Sequence, residues 1–164
     1  MSKLNIVDED DNVIGIEDRK KAKKESFYRV SALWVTNSRG EILLARRHRS
    51  KTHDPLKWGP AVSGTVEAGE SYEENILKEA EEELGLKNIH PKIGPKIKME
   101  VEYHYFVQWF TLGIEKDASD FEIQEDEVVE IKWFPKKDLI SELQNSSENF
   151  TPGLRAVSKL FLGE

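Results

Sequence analysis

Gly64-Thr-Val-Glu-Ala-Gly-Glu70-Ser-Tyr-Glu-Glu-Asn-Ile-Leu-Lys78-Glu79-Ala-Glu-Glu82-Glu83-Leu-Gly85-Leu86 is the stretch on which the reading of this chain turns, because it signals a helix at both ends. Ser71 with Glu74 three residues on has the form of a capping box, in which each side chain satisfies a backbone N–H of the other residue. Gly85 suits the left-handed conformation that closes a helix. Residues three and four apart share a helical face, so Glu79, Glu82 and Glu83 fall within an arc of roughly 100°. Ile76, Leu77, Ala80 and Leu84 occupy the adjoining arc and are predicted to face a core. Glu81 points away, toward solvent.

Three like charges on one arc repel by a few tenths of a kcal/mol per pair when exposed, and by more when partly buried. Water and salt around a surface helix would answer that repulsion. So would a hard cation such as Mg²⁺, which takes oxygen ligands and leaves positions open for water and phosphate oxygens. Charge pattern alone leaves both answers standing.

Upstream, Leu4 to Gly15 sets Ile and Val on either side of the acidic turn Asp8-Glu-Asp-Asp-Asn12, which predicts a small hairpin. The basic segment Arg19 to Lys24 is expected to be a solvated loop. Ser26 to Thr36 is rich in Tyr, Val, Leu and Trp, and Asn37-Ser-Arg-Gly40 turns it toward Ile42-Leu43-Leu44-Ala45, a pair of strands. His48 to Pro60 reads as a long loop, of the kind that often carries function. Downstream, Lys96 to Ile114 fits one or two strands and Val128 to Phe134 another. Pro135 is expected as the first residue of a helix reaching Leu143, and Thr151 to Leu162 forms a last amphipathic helix.

The chain has 164 residues, 38% of them apolar and 34% charged, which suits one globular domain spanning residues 1–164. It contains no cysteine, so disulfides, thiolate metal sites and cysteine nucleophiles are excluded. The formal net charge of -7 argues against a nucleic-acid duplex as partner but not against phosphorylated small molecules, since divalent ions can stand between carboxylates and phosphates. No apolar run approaches the roughly 20 residues that span a bilayer, and no signal core opens the chain, so a cytoplasmic protein without membrane partners is expected.

The quoted segment resembles the Nudix box, whose pattern is Gly, five residues, Glu, seven residues, Arg-Glu, an apolar residue, any residue, Glu-Glu, any residue, Gly and an apolar residue. Gly64, Glu70, Glu79, Ala80, Glu82, Glu83, Gly85 and Leu86 match in register. Lys78 stands where the family has arginine, keeping the charge but losing the planar fork. The resemblance implies an α/β fold, the Nudix-type α/β/α sandwich with a mixed sheet. It also implies metal-dependent hydrolysis of a phosphoanhydride in a nucleoside-diphosphate-linked or related diphosphate.

On that resemblance Glu79, Glu82 and Glu83 are the catalytic and metal-binding acids, Glu79 being the general base. The backbone carbonyl of Ser63 and the carboxylate of Glu127 complete the ligands of a Mg²⁺ or Mn²⁺ ion. Arg47 and Trp58 are the candidate substrate-binding residues, the former because a guanidinium suits phosphate. Arg46 should point to the opposite face of a regular strand. Tyr103 and Tyr105 are candidates for stacking a base and His53 for touching substrate. The histidines show no close ligand spacing. Many relatives pair, so a homodimer is an expectation as well.

Val7 to Gly15, Leu43-Leu44 with Arg46-Arg47, Lys51 to Trp58 and Phe150-Thr-Pro152 are similar to the Nudix branch that includes type I isopentenyl diphosphate isomerase. Those isomerases use a cysteine just before the box glycine and a histidine just after it, whereas this chain has Ser63 and Thr65. Alkene protonation lacks its thiol here, which favours hydrolysis. A Nudix domain that binds a nucleotide or protein without turnover is the third reading, and Lys78 is its support.

Overall fold

The computed structural model describes residues 2–163. The capped helix spans Tyr72–Leu84 (α1). The Ser71 hydroxyl accepts from the Glu74 N–H at 3.0 Å, and the Glu74 carboxylate accepts from the Ser71 N–H at 2.9 Å. Gly85, at φ +69°, ends it, and its N–H donates to the Glu81 carbonyl at 3.0 Å. Ile76, Ala80 and Leu84 are buried as expected, but Leu77 is 36% exposed. Asn75 and Glu83 are buried in its stead. At about 100° per residue these positions centre the buried arc nearer the glutamates than the apolar pattern alone suggested, and Leu77 falls on its rim.

The main sheet is built on Tyr28–Thr36 (β3), which runs parallel to His104–Gly113 (β8). Its other edge is shared. Val30 to Leu33 pairs with Val62–Thr65 (β6), whereas only Val35 and Thr36 pair with Ile42–Arg47 (β4). The two strands therefore diverge, and β6 with Trp58–Pro60 (β5) fills the wedge between them. The short strands β5 and β6 lie where the sequence reads as loop and box entry. Beyond β4 comes Val128–Phe134 (β9), and beyond β8 comes Lys92–Glu100 (β7), both antiparallel to their neighbours.

Alternation along β3 sends Ala32 and Trp34 to one face and Leu33 and Val35 to the other. Leu33, Val35, Leu43 and Phe110 form a core with Ile76, Ala80 and Leu84 of α1. On the opposite face Trp34, Leu44 and Trp109 pack with Leu139 of Lys136–Asn145 (α2) and Leu154 and Val157 of Pro152–Leu162 (α3). This is the mixed-sheet α/β/α sandwich. Pro135 is the N-cap of α2, not its first helical residue. Thr151 caps α3, accepting from the Leu154 N–H at 3.3 Å. Among the described residues no helix is long and apolar enough to cross a membrane.

The amino-terminal hairpin forms from Lys3–Val7 (β1) and Val13–Asp18 (β2). Its acidic turn is not merely solvated. Asp11, at φ +64°, is buried, and its carboxylate accepts from Arg29 Nε at 2.8 Å, Lys96 Nζ at 2.6 Å and the Tyr72 hydroxyl at 2.8 Å. Burial pushes the Asp11 carboxyl up, but the bonds from Lys96, Arg29 and Tyr72 outweigh it and hold the group below the ordinary carboxylate range. One side chain thus joins the hairpin to β3, β7 and the first residue of α1.

Candidate active site

Glu79 lies across the backbone of Gly64. A Cβ built on Gly64 would stand 2.6 Å from Glu79 Cδ and 2.9 Å from Oε1, so a side chain there would displace the carboxylate. Glu83, 9% exposed, packs beside Glu79 and accepts from the Ser63 N–H at 3.4 Å. Burial, then the neighbouring Glu79 charge, raises the Glu83 carboxyl well above its ordinary value. Burial and the Glu82 charge raise Glu79 as well, against the hydrogen bond with Glu83. Two carboxyls this close, one of them buried, cannot both ionise cheaply.

The loop before α1 is tied to it by polar contacts. Glu70 accepts from the Glu67 N–H at 2.8 Å, from Asn75 Nδ2 at 3.1 Å and from Lys78 Nζ at 2.8 Å. Lys78 also reaches Glu67 at 3.4 Å. The lysine therefore ties the loop to the helix through ion pairs with two acids, without the planar fork of an arginine. Asn75 donates to the Thr65 carbonyl at 3.2 Å and is hydrogen bonded to Ser31, which binds α1 to both β6 and β3.

The acids form one wall of a cleft of about 390 Å³. Its floor is paved by cross-strand neighbours of β3 and β8: Tyr28 beside Tyr105, Val30 beside Val107, Ala32 beside Trp109. Thr151, Pro152 and Gly153 at the start of α3 line it as well. Arg47 enters from the end of β4, its Nε donating to the His53 carbonyl at 2.9 Å, and burial pushes its guanidinium below its ordinary value. Lys51 lies beside it and forms an ion pair with Glu127. Glu82 and Glu127 also line the cleft, so all four candidate acids meet there with Ser63 and Arg47. Arg46 turns away to the Leu56 carbonyl and Glu130.

Trp58 does not join them. Its ring packs edge-on against Phe134 at 5.0 Å, in the core under α2 and α3. The likelihood that a strand aromatic is core decided its fate, not the chemistry of stacking. Tyr103 and Tyr105 do line the cleft, as does His53, whose ring lies 4.0 Å from that of Tyr103.

The NUDIX domain family matches residues 26–154. The chain belongs to the Nudix family. An uncharacterised Nudix hydrolase of Yersinia pestis is 30% identical over 157 residues, covering 94% of this chain and 83% of that protein. One from Salmonella typhi is 29% identical over 150 residues, covering 91% and 78%. Among solved structures, a Deinococcus radiodurans protein superposes with a TM-score of 0.82 at 23% identity, over 94% of this chain and 96% of that one. A MutT protein from Methanosarcina mazei follows at 0.71 and 21%, over 85% and 96%. Relatives named as hydrolases place the chain in the class of Nudix pyrophosphohydrolases.

Nudix hydrolases use divalent metals, and the donor set here is suited to one: hard carboxylate oxygens, with a buried Glu83 beside a half-buried Glu79 whose mutual repulsion a cation would relieve. Among the described residues no three acidic or imidazole side chains form a preassembled metal cage. Lys51 is paired with Glu127.

Several Nudix-cleft residues escape a reading of the sequence. Arg19 belongs to the segment expected as a solvated loop, yet it lines the cleft and its Nη2 donates to the Thr65 hydroxyl at 3.4 Å. Tyr28, Lys51 and Trp109 are further residues of this kind. Only the strand alternation of Tyr28, Val30 and Ala32 hinted at a shared face.

Proposed function

We propose that this protein hydrolyses a phosphoanhydride bond in a nucleoside-diphosphate-linked or related diphosphate, with Mg²⁺ or Mn²⁺ as cofactor. The observation that carries the reading is that Glu79, Glu82, Glu83 and Glu127 line one cleft together with Arg47 and Lys51. Carboxylates without cations repel a diphosphate, and arginine without carboxylates only binds it. Side by side they suit a metal-bridged substrate.

Glu79, Glu82, Glu83 and Glu127, with the Ser63 carbonyl, would hold the metal. When bound there, it supplies charge neutralisation of the diphosphate and a lowered pKa for an attacking water. Glu79, pinned over Gly64, takes the proton from that water. Arg47, half-buried at the end of β4, orients the phosphate with its guanidinium. Lys51 exchanges its Glu127 partner for phosphate oxygen.

Two structural neighbours support a nucleotide-like substrate. The NUDIX domain of Shewanella oneidensis NrtR was solved with ADP ribose, and a Caenorhabditis elegans protein is an Ap4A hydrolase, at TM-scores of 0.58 and 0.56. Isomerisation is disfavoured by Ser63 and Thr65, both at the cleft, in place of thiol and imidazole.

The test is phosphate release after coupled phosphatase treatment. The panel comprises nucleoside triphosphates, nucleotide sugars, dinucleoside polyphosphates, coenzymes and isopentenyl diphosphate, with Mg²⁺ or Mn²⁺. A hydrolysed substrate whose turnover disappears in Glu82→Gln is expected. Binding of a panel member without turnover of any would instead establish a non-catalytic Nudix domain, and an isomerised product would sink the hydrolase reading.

A further inference from the structure

The cleft floor contains a donor that the mechanism above does not use. Trp109 is 1% exposed and lines the cleft, yet its indole N–H has no hydrogen-bond partner among the described residues. A buried N–H without an acceptor costs on the order of 1–3 kcal/mol, so such groups are rare and call for an explanation. The contrast with Trp133 is direct, since its N–H donates to the Lys116 carbonyl at 2.9 Å.

The surroundings of Trp109 say what would satisfy it. Pairing of β3 with β8 puts Ala32 beside Trp109, Val30 beside Val107 and Tyr28 beside Tyr105, so three rows lie in order along one sheet face. The middle row is apolar, and the outer rows carry N–H and O–H groups. At roughly 3.3 Å per residue the Tyr row and the Trp row are about 13 Å apart. Burial raises Tyr28 and pushes Tyr105 up to about 12, so both phenols stay protonated and able to donate. The Tyr105 hydroxyl is 3.6 Å from a Cβ built on Gly153, in the first turn of α3, whose N–H groups add partial positive charge on the same side.

We propose, resting on the nucleotide-diphosphate reading of this cleft, that the floor is a nucleobase site selective for a carbonyl edge. The base lies over Val30 and Val107, and a ring carbonyl oxygen accepts from the Trp109 indole N–H. An amino group at that edge would set donor against donor and leave both unsatisfied. Such a mismatch is penalised far more than a missing apolar contact. The substrates assigned are therefore diphosphates of uracil or hypoxanthine type, in preference to those of cytosine or adenine.

Nucleoside monophosphates test this independently of turnover, because they contain no phosphoanhydride to cut. Affinities for UMP against CMP, and IMP against AMP, are to be measured by calorimetry with Mg²⁺ present. The carbonyl member of each pair is expected to bind at least about tenfold tighter. In Trp109→Phe the two members should come within about twofold of each other. The wild-type indole ¹⁵N–¹H resonance of Trp109 should move on addition of UMP and stay in place with inorganic pyrophosphate, a readout that does not depend on the variant folding. Equal affinities, no binding by any of the four, a preference undiminished in Trp109→Phe, or a stationary indole resonance would each overturn the proposal. Turnover lost in Glu82→Gln with no base preference would remove the floor site and leave the hydrolase; preference without turnover would do the reverse.

Discussion

The two walls of the cleft are made in opposite ways. Apart from Glu127, the acidic wall comes from one unbroken segment, residues 64–86, in which the cap, the terminator and the three helix carboxylates are set by helical spacing and the pinning glycine stands on the strand just before. The floor comes from residues 28–32 and 105–109, more than seventy positions apart, brought together by a parallel strand pair. A local wall is legible from spacing because backbone geometry fixes its neighbours. An assembled floor depends on register, which the sequence specifies only through the core that the opposite face buries.

Asp11 is the joint between the two, bonding Tyr72 at the start of the acidic helix to Arg29 in the strand of the floor. Replacing it breaks the comparison most severely. Asp11→Ala leaves Arg29 and Lys96 without their carboxylate and should cost about 3–5 kcal/mol of stability by denaturant unfolding. Because its pKa lies below the unfolded value, Asp11 stabilises fully above the ordinary carboxylate range. That stability is lost as pH falls through the lowered pKa. Wild-type melting should therefore fall toward acid more steeply than that of Asp11→Asn; parallel curves would show that the network contributes nothing.

The acidic wall should separate activity from stability. Glu83→Gln is expected to lower kcat by at least about a hundredfold, near 2.7 kcal/mol of barrier at about 1.36 kcal/mol per decade. A carboxyl whose pKa is raised by folding destabilises the fold once pH exceeds its ordinary range, so metal-free Glu83→Gln should melt no lower than wild type at neutral pH. Gly64→Ala tests the pinning of Glu79: a rate loss on the order of tenfold is expected as the carboxylate is pushed aside. A normal rate would show that Glu79 has room to spare. The smallest effect belongs to the helix cap, where Ser71→Ala should cost about 1 kcal/mol in a thermal melt.

The same contrast explains what was and was not readable. Capping at Ser71 and Gly85, the strand Val128–Phe134 and the closing helix were fixed by nearest neighbours and appear where expected. Leu77 was misplaced because the apolar stripe ignores Asn75 and Glu83, polar residues that burial accepts once Ser31, Thr65 and Ser63 bond them. Arg19 and the short strands β5 and β6 were hidden for another reason: nothing local distinguishes a solvated basic turn from one that reaches a site. Trp58 and Trp109 are alike in sequence terms and both join the core beneath α2 and α3, and only tertiary packing brings Trp109 to the cleft as well.

The family match begins at residue 26, which invites trimming the chain to that boundary in any recombinant version. The buried carboxylate at position 11 argues against the cut. A trimmed protein would retain the whole acidic segment, yet Arg29 and Lys96 would face each other around Tyr72 with no counter-ion between them. The boundary drawn by shared ancestry and the boundary of the physically closed unit differ here by one hairpin, and expression work should follow the second.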